Sequence, residues 1–212
     1  MAAISTIWAP DGQRILFDAL WPQMALVGKG RITTLTQTIT VTGGINPLVA
    51  FRPINCNAAI ATQGRSGSTF TYDMKMYSQS SGGYVDYWVY DKIPPVKPTS
   101  GAALFLLDVN GNCTFSTART PMVLAPQSSQ PAGRVYAISP STGPYFREQV
   151  DADVDTFGIP IFRRITAVGG WVFDGASFSI QSFTTTDHFG FSSDAVYDPS
   201  LSDYLVLDVT NH

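Results

Sequence analysis

Helix signals are nearly absent from this 212-residue chain. No window sustains apolar residues at spacings of three and four, and 14 Pro and 18 Gly interrupt almost every stretch that begins to do so. A helical bundle is excluded. Charge is also sparse, with 14% of residues charged against roughly 25% in ordinary soluble domains. The surface must therefore be covered by Ser, Thr, Gln, Asn and aromatic groups, which give up little hydration on contact. That favours packing against partners. The 13 Lys and Arg are scattered, and without a basic stripe to displace counterions no nucleic-acid groove is expected. No run has the length and apolarity of a membrane span, and "MAAISTIWAPDGQ" lacks the basic, apolar and small-residue order of a secretion signal. The chain is expected to fold in the cytoplasm where it is made, without membrane insertion.

Groups that carry chemistry are scarce too. Cys56 and Cys113 are too few for a disulfide framework and read as small buried apolar residues. Of two histidines, His212 is the last residue and His188 lies in "TTTDHFGFSSD", a polar stretch that reads as a loop. "GRSGS" from Gly64 has its second Gly one place early for a nucleophile elbow. It also lacks the Lys and following helix of a phosphate loop, so it reads as a turn. "DADVDTFG" places Asp151, Asp153 and Asp155 on one face of an extended segment. A calcium hand would need Gly and Glu where Thr156 and Phe162 stand. The expectation is a solvated acidic loop, with a looser cation site as the alternative. No catalytic residue, metal or cofactor is predicted, and the chain reads as non-enzymatic.

What is present is alternation. In "TFTYDMKMYS", Phe70, Tyr72, Met74 and Met76 share one face, and Thr69, Thr71, Asp73 and Lys75 the other. After "QSSGG", read as a soft turn, comes "YVDYWVYD", apolar or aromatic on both faces. Tyr84, Asp86, Trp88 and Tyr90 point one way, and Val85, Tyr87, Val89 and Asp91 the other. Tyr84, Tyr87, Trp88 and Tyr90 can be core, a protein interface or a platform for sugar rings. Because a two-layer sandwich buries one face of each sheet, Trp88 or Tyr87 is expected to need cover from outside the chain. Further strands read at 31–42, 48–51, 58–63, 134–138, 158–168, 177–183 and 204–209. The fold class is all-β, an antiparallel sandwich or barrel-like body.

"KIPPVKPTSGA" carries three prolines and reads as a stiff joint. It divides an N-terminal β half (1–92) from a C-terminal one (103–212), with the joint at 93–102. Each half holds an apolar run, an Asp-Gly or Asn-Gly pair and a second apolar run. Asp11–Gly12 and Asn110–Gly111 suit the positive φ angles of a tight hairpin turn. Each hairpin is followed by a Pro and a Met-containing apolar run, "WPQMALV" and "TPMVLA". The halves are expected to carry related hairpins packed near each other in one body.

These segments carry a resemblance. "LFLLDVNGNCTFSTARTPM" resembles a segment recurring in tail proteins of long-tailed bacteriophages. There it commonly follows an aromatic strand like "YVDYWVYDKIPP". "IWAPDGQRILFDALWPQMALVGKG" is similar to its N-terminal version, and the ending "YLVLDVTNH" is similar too. The resemblance covers about half the chain in patches and carries over no functional residue. It implies a structural protein of the tail tip, baseplate or fibre attachment region, present in the virion after lysis. Its partners would be other tail proteins, in several copies in a ring or around a fibre. The alternative is a receptor- or carbohydrate-binding β module that meets the bacterial surface.

Overall fold

The structure, a computed structural model, describes residues 6–8, 15–18, 24–92, 105–107, 110–111, 113–116, 119–127, 131–140, 146–154, 157, 160–190 and 204–212. Among them there is no helix. The strands, in chain order, are β1 (Thr6–Trp8), β2 (Ile15–Asp18), β3 (Ala25–Ile32), β4 (Thr36–Val41), β5 (Leu48–Ser66), β6 (Thr69–Asp91) and β7 (Phe105–Leu107). There follow β8 (Cys113–Ser116), β9 (Leu124–Ala125), β10 (Tyr136–Pro140), β11 (Phe146–Val154), β12 (Pro160–Phe173), β13 (Phe178–Gly190) and β14 (Tyr204–Asp208). All pairing is antiparallel. The all-β, barrel-like expectation holds: one large sheet curls into a half-barrel.

The curl begins with the hairpin of β5 and β6, which have 19 and 23 residues. Extended at roughly 3.3 Å per residue, β6 would be on the order of 75 Å long, far beyond the width of a domain this size, so it must bend. Bulges supply the bend: the register shifts between Ile54 and Cys56, Asn57 and Ala58, and Ile60 and Thr62. At the first, Asn55 takes φ 52° and Gly82 φ 79°, left-handed values that Asn and Gly tolerate best. "QSSGG" is therefore not a turn between two strands. β6 runs through it because β5 pairs with it on both sides, and the real reversal is at Gly67, φ 60°. On the opposite edge of β6, the single strand expected over 31–42 is two, β3 and β4. They break at 33–35, where β6 bulges, and Met76 N–H reaches Leu35 O at 2.8 Å.

The ends of this three-strand ribbon return to each other. Gly44 N–H donates to Ser68 O at 2.9 Å, while Ile45 and Asn46 donate to the carboxylate of Asp91. Inside the curl lies the larger core, with Ile32, Ile39, Phe51, Phe70, Met74, Met76, Val85 and Val89 among its buried members. The Tyr72 hydroxyl donates to Pro47 O at 2.5 Å across it.

Strands from beyond 93–102 continue the same sheet. β10 pairs with β5 at Ile138 and Phe51, β14 with β10, and β9 with β14. The order β3–β6–β5–β10–β14–β9 has at the centre of each triplet a Tyr-x-Val-x-Asp strand, Tyr87–Asp91 and Tyr204–Asp208. The outer edges then meet: Leu26 N–H donates to Thr120 O and Met122 N–H to Met24 O, both at 2.9 Å. The second core fills this ring, with Met24, Leu26, Leu48, Ala50, Trp88, Tyr90, Ala137 and Leu207 contributed by β3, β5, β6, β10, β14 and the residue before β3, and Met122 from the segment leading into β9. β11, β12 and β13 form a meander joined to β5 through Trp171 and Ala58.

The two short hairpins stand as separate two-stranded sheets. The pair Trp8 and Ile15 is centred on Asp11–Gly12, which lies outside the described residues. Leu106 and Phe115 are centred on Asn110–Gly111, where Gly111 has φ 81°. The joint at 93–102 also lies outside the described residues.

Candidate functional site

The aromatic strand separates into core and surface. Trp88 is 7% exposed and Tyr90 fully buried, both packed in the ring core of this chain. The expectation that Trp88 needs outside cover is corrected, because both faces of this strand meet a core of the same chain. Tyr84 and Tyr87 remain half-buried. Tyr87 lies on the larger core and crosses Gly30, at which a Cβ would come within 2.6 Å of its hydroxyl.

Tyr84 is part of a polar-aromatic row. The register sets Arg31 of β3, Asp86 of β6 and Arg52 of β5 side by side. Arg31 grips Asp86 with two hydrogen bonds, Nε to Oδ1 at 2.7 Å and Nη2 to Oδ2 at 3.1 Å. Its guanidinium carbon stands 3.8 Å from the centroid of the Tyr84 ring. The bidentate bond to Asp86 raises the Arg31 pKa further. Arg52 lies over the ring of Phe173 at 4.5 Å. Tyr, Trp and Arg dominate the energetics of protein interfaces because each combines large apolar area with a few directional bonds. None of Arg31, Arg52 or Phe173 stands out in the sequence. The available signal was Asp86, a carboxylate on the face of Trp88 and Tyr90, which required a cation nearby.

Beside this row, on the other face, a cleft of about 350 Å³ opens between β3 and β4. Val27, Ile39, Val41, Tyr87 and Val89 form its apolar wall, and Lys29, Thr40, Thr42 and Asp91 also border it. The Asp91 carboxylate is 1% exposed and already accepts three backbone N–H bonds.

The remaining titratable groups form structural locks. The Tyr90 hydroxyl is 2.5 Å from His212 Nδ1. Burial pushes the Tyr90 pKa far up, with the charge of Asp208 adding to it, and burial lowers that of His212. Both groups are therefore neutral around pH 7, and Tyr90 donates to the imidazole. Burial would raise the pKa of Asp208, but bonds from Thr210 and Arg134 outweigh it and hold the carboxyl below its ordinary value. Burial pushes the Cys56 thiol up, away from the thiolate, and its S–H donates to Tyr84 O at 3.2 Å.

Asp151 and Asp153 are on a strand, not a loop: in β11 they pair with Arg163 and Ile161 of β12, and Asp155 lies outside the described residues. Paired backbone on β12 holds them extended. Likewise His188 is on β13 opposite Arg164. Among the described residues, no three His, Cys, Asp or Glu gather as a metal-binding group. Nor is any helix there long and apolar enough to cross a membrane. No protein-family model matches the chain, and neither curated proteins nor solved structures give a match.

Proposed function

We propose that the chain is a non-enzymatic structural component of a bacteriophage tail, at the tail tip, baseplate or fibre attachment region. It works by assembly with other tail proteins. The observation that carries this reading is the surface row Arg31–Tyr84–Asp86–Arg52–Phe173, in which a stacked, bidentate arginine pre-orders an aromatic patch on a chain of few charges. The sequence resemblance points the same way. Several copies in a ring or around a fibre would repeat the patch, and the virion is the expected location. The test is incorporation into particles. Tyr84→Ala should leave the isolated chain folded and reduce its share in particles, whereas Trp88→Ala should cost about 3–5 kcal/mol of stability by emptying the ring core. Incorporation of Tyr84→Ala at the parent level would refute the assembly reading.

A second reading, receptor or carbohydrate binding at the bacterial surface, draws on the cleft beside Tyr87. Its volume is within the range of small-ligand sites, and an aromatic face near threonine hydroxyls suits a sugar ring. Host-cell polysaccharide binding that is lost in Tyr87→Ala would favour it.

A further inference from the structure

We infer that β11 of one copy adds to the open edge of β3 of another, so that copies join head to tail through a continuous sheet. This is a property of the purified chain and does not depend on the assembly reading. Leu26 bonds to Thr120, but from Val27 to Ile32 the outer edge of β3 pairs with no strand among the described residues. An open edge accepts another extended segment, and the side chains along it decide which. The register places Lys29 and Arg31 beside Trp88 and Asp86, and Gly28 and Gly30 beside Val89 and Tyr87 of the cleft wall. Arg31 is held by Asp86, whereas Lys29 is exposed and belongs to neither ion pair of the described residues. Neither β3 nor β4 contains an acid. At Gly30 the Tyr87 hydroxyl fills the place of a side chain, so the cleft side of the edge offers an aromatic group. A fitting segment therefore alternates acidic residues with apolar ones, and is small opposite Gly30.

The stretch 150–154, "VDADV", has that alternation and lies in β11. β11 pairs with β12 along one edge and, among the described residues, with no strand along the other. Centring Ala152 on Gly30 sets the two acids against the two cations in either direction. The antiparallel direction sets Asp153 against Lys29 and Asp151 against Arg31. Lys29 is paired with Trp88 and Asp153 with Ile161, so neither position has a counter-charge across its own sheet, and this direction brings the two together. β3 against β3 of a second copy, centred on Gly30, would set Lys29 against Arg31 and is disfavoured by like charge. Because the two edges differ, every copy that joins leaves an edge open for the next, which yields a ring or a filament.

Sedimentation velocity of the purified chain over a concentration series tests the contact. The parent should form assemblies that grow with concentration and dissociate in high salt. Lys29→Glu and Asp153→Lys, each alone, should melt like the parent. Each should need about tenfold or more protein to assemble, since like charges then face each other. An equal mixture of the two should assemble as the parent does, because each supplies the charge that the other lacks. In the parent, carbodiimide should couple Lys29 to Asp153 between isotopically light and heavy chains. A parent that stays monomeric up to about 1 mM overturns the inference. So does assembly of either single variant at the parent level, a mixture no better than its components, or coupling confined to one chain. Incorporation of Tyr84→Ala into particles, measured separately, tests the assembly reading and not this contact.

Discussion

Asp91 holds the ribbon closed, and its replacement should be among the most damaging single changes outside the apolar cores. The side chain is 1% exposed at the end of β6. Oδ2 accepts from Ile45 N–H at 2.9 Å, and Oδ1 accepts from Asn46 N–H at 2.8 Å and Lys92 N–H at 2.7 Å. Ile45 and Asn46 belong to the turn that carries the chain from β4 to β5, the turn that also reaches back to Ser68. One carboxylate thus joins the end of β6 to the start of β5. Asp91→Ala leaves three N–H groups without their acceptor. Hydrogen bonds to charged groups contribute roughly 1.5–3 kcal/mol each, but water can reach the exposed turn and recover part of that, so the expected loss is about 3–5 kcal/mol. Asp91→Asn can keep the two bonds to Oδ1 while turning its amide donors towards Ile45 N–H, and should lose about 1.5–3 kcal/mol. Urea denaturation, with the m-value checked for constancy, measures both. Amide exchange at Ile45 and Asn46 should quicken more than exchange in β10 and β14. Losses below about 1 kcal/mol for both variants, or equal losses, would show that the carboxylate does not close the ribbon.

Gly30→Ala should cost about 1–3 kcal/mol, because its Cβ would stand 2.6 Å from the Tyr87 hydroxyl, and denaturation should show the cost vanish in a Tyr87→Ala background. At Gly111, φ is 81° and nothing lies within 4 Å of a Cβ, so only the backbone conformation objects to a side chain. Gly111→Val should therefore lose more than about 1 kcal/mol and Gly111→Asn much less, as read from thermal melts. Stability should fall on acidification. The pKa of His212 is lowered from 6.5 by burial, so the unfolded chain takes the proton first, and the contribution present above that value is lost as pH falls below it. A melting series from about pH 7 to about pH 5 should show the decline, and His212→Gln should flatten it. The net lowering at Asp208 adds a second loss as pH falls below 3.8. Chelation of divalent cations should leave the melting temperature nearly unchanged; a large drop that Asp153→Asn abolishes would establish a cation site at 151–155.

The sequence made the face assignments legible and the path of the chain much less so. Alternation put Phe70, Tyr72, Met74 and Met76 on the buried face, where all four are found. It also separated Trp88 and Tyr90 from Val85 and Val89, which belong to different cores. Strand ends are obscured where a bulge imitates a turn. "QSSGG" has turn composition, but what decides between reversal and bulge is whether β5 pairs on both sides of it, and β5 lies earlier in the sequence. The same non-local pairing turned the acidic segment at 151–153 and the polar segment at 184–190 into strands. The repeated Pro and Met segments could be seen as a pair. That Met24 and Met122 hydrogen-bond to each other could not, because no local pattern encodes which edges meet.

The aromatic strand shows where such reasoning needs a geometric premise. Large side chains on both faces imply an outside partner only if the sheet has one buried face, as a flat two-layer sandwich does. Here the second half of β6 is shared between two bodies: Val85 and Val89 face the curled ribbon, whereas Trp88 and Tyr90 face the ring formed with β10, β14 and β9. Trp88 and Tyr90 therefore find their cover within the chain. The sharing ends at Asp86. Past it towards Tyr84 the ring core has no further members, and the face of Trp88 and Tyr90 carries Arg31, Asp86 and Arg52 in place of apolar groups. An interface on this strand thus belongs where the second core stops. That is why the row at Tyr84, rather than the larger aromatic at Trp88, is the surface on which the assembly reading depends.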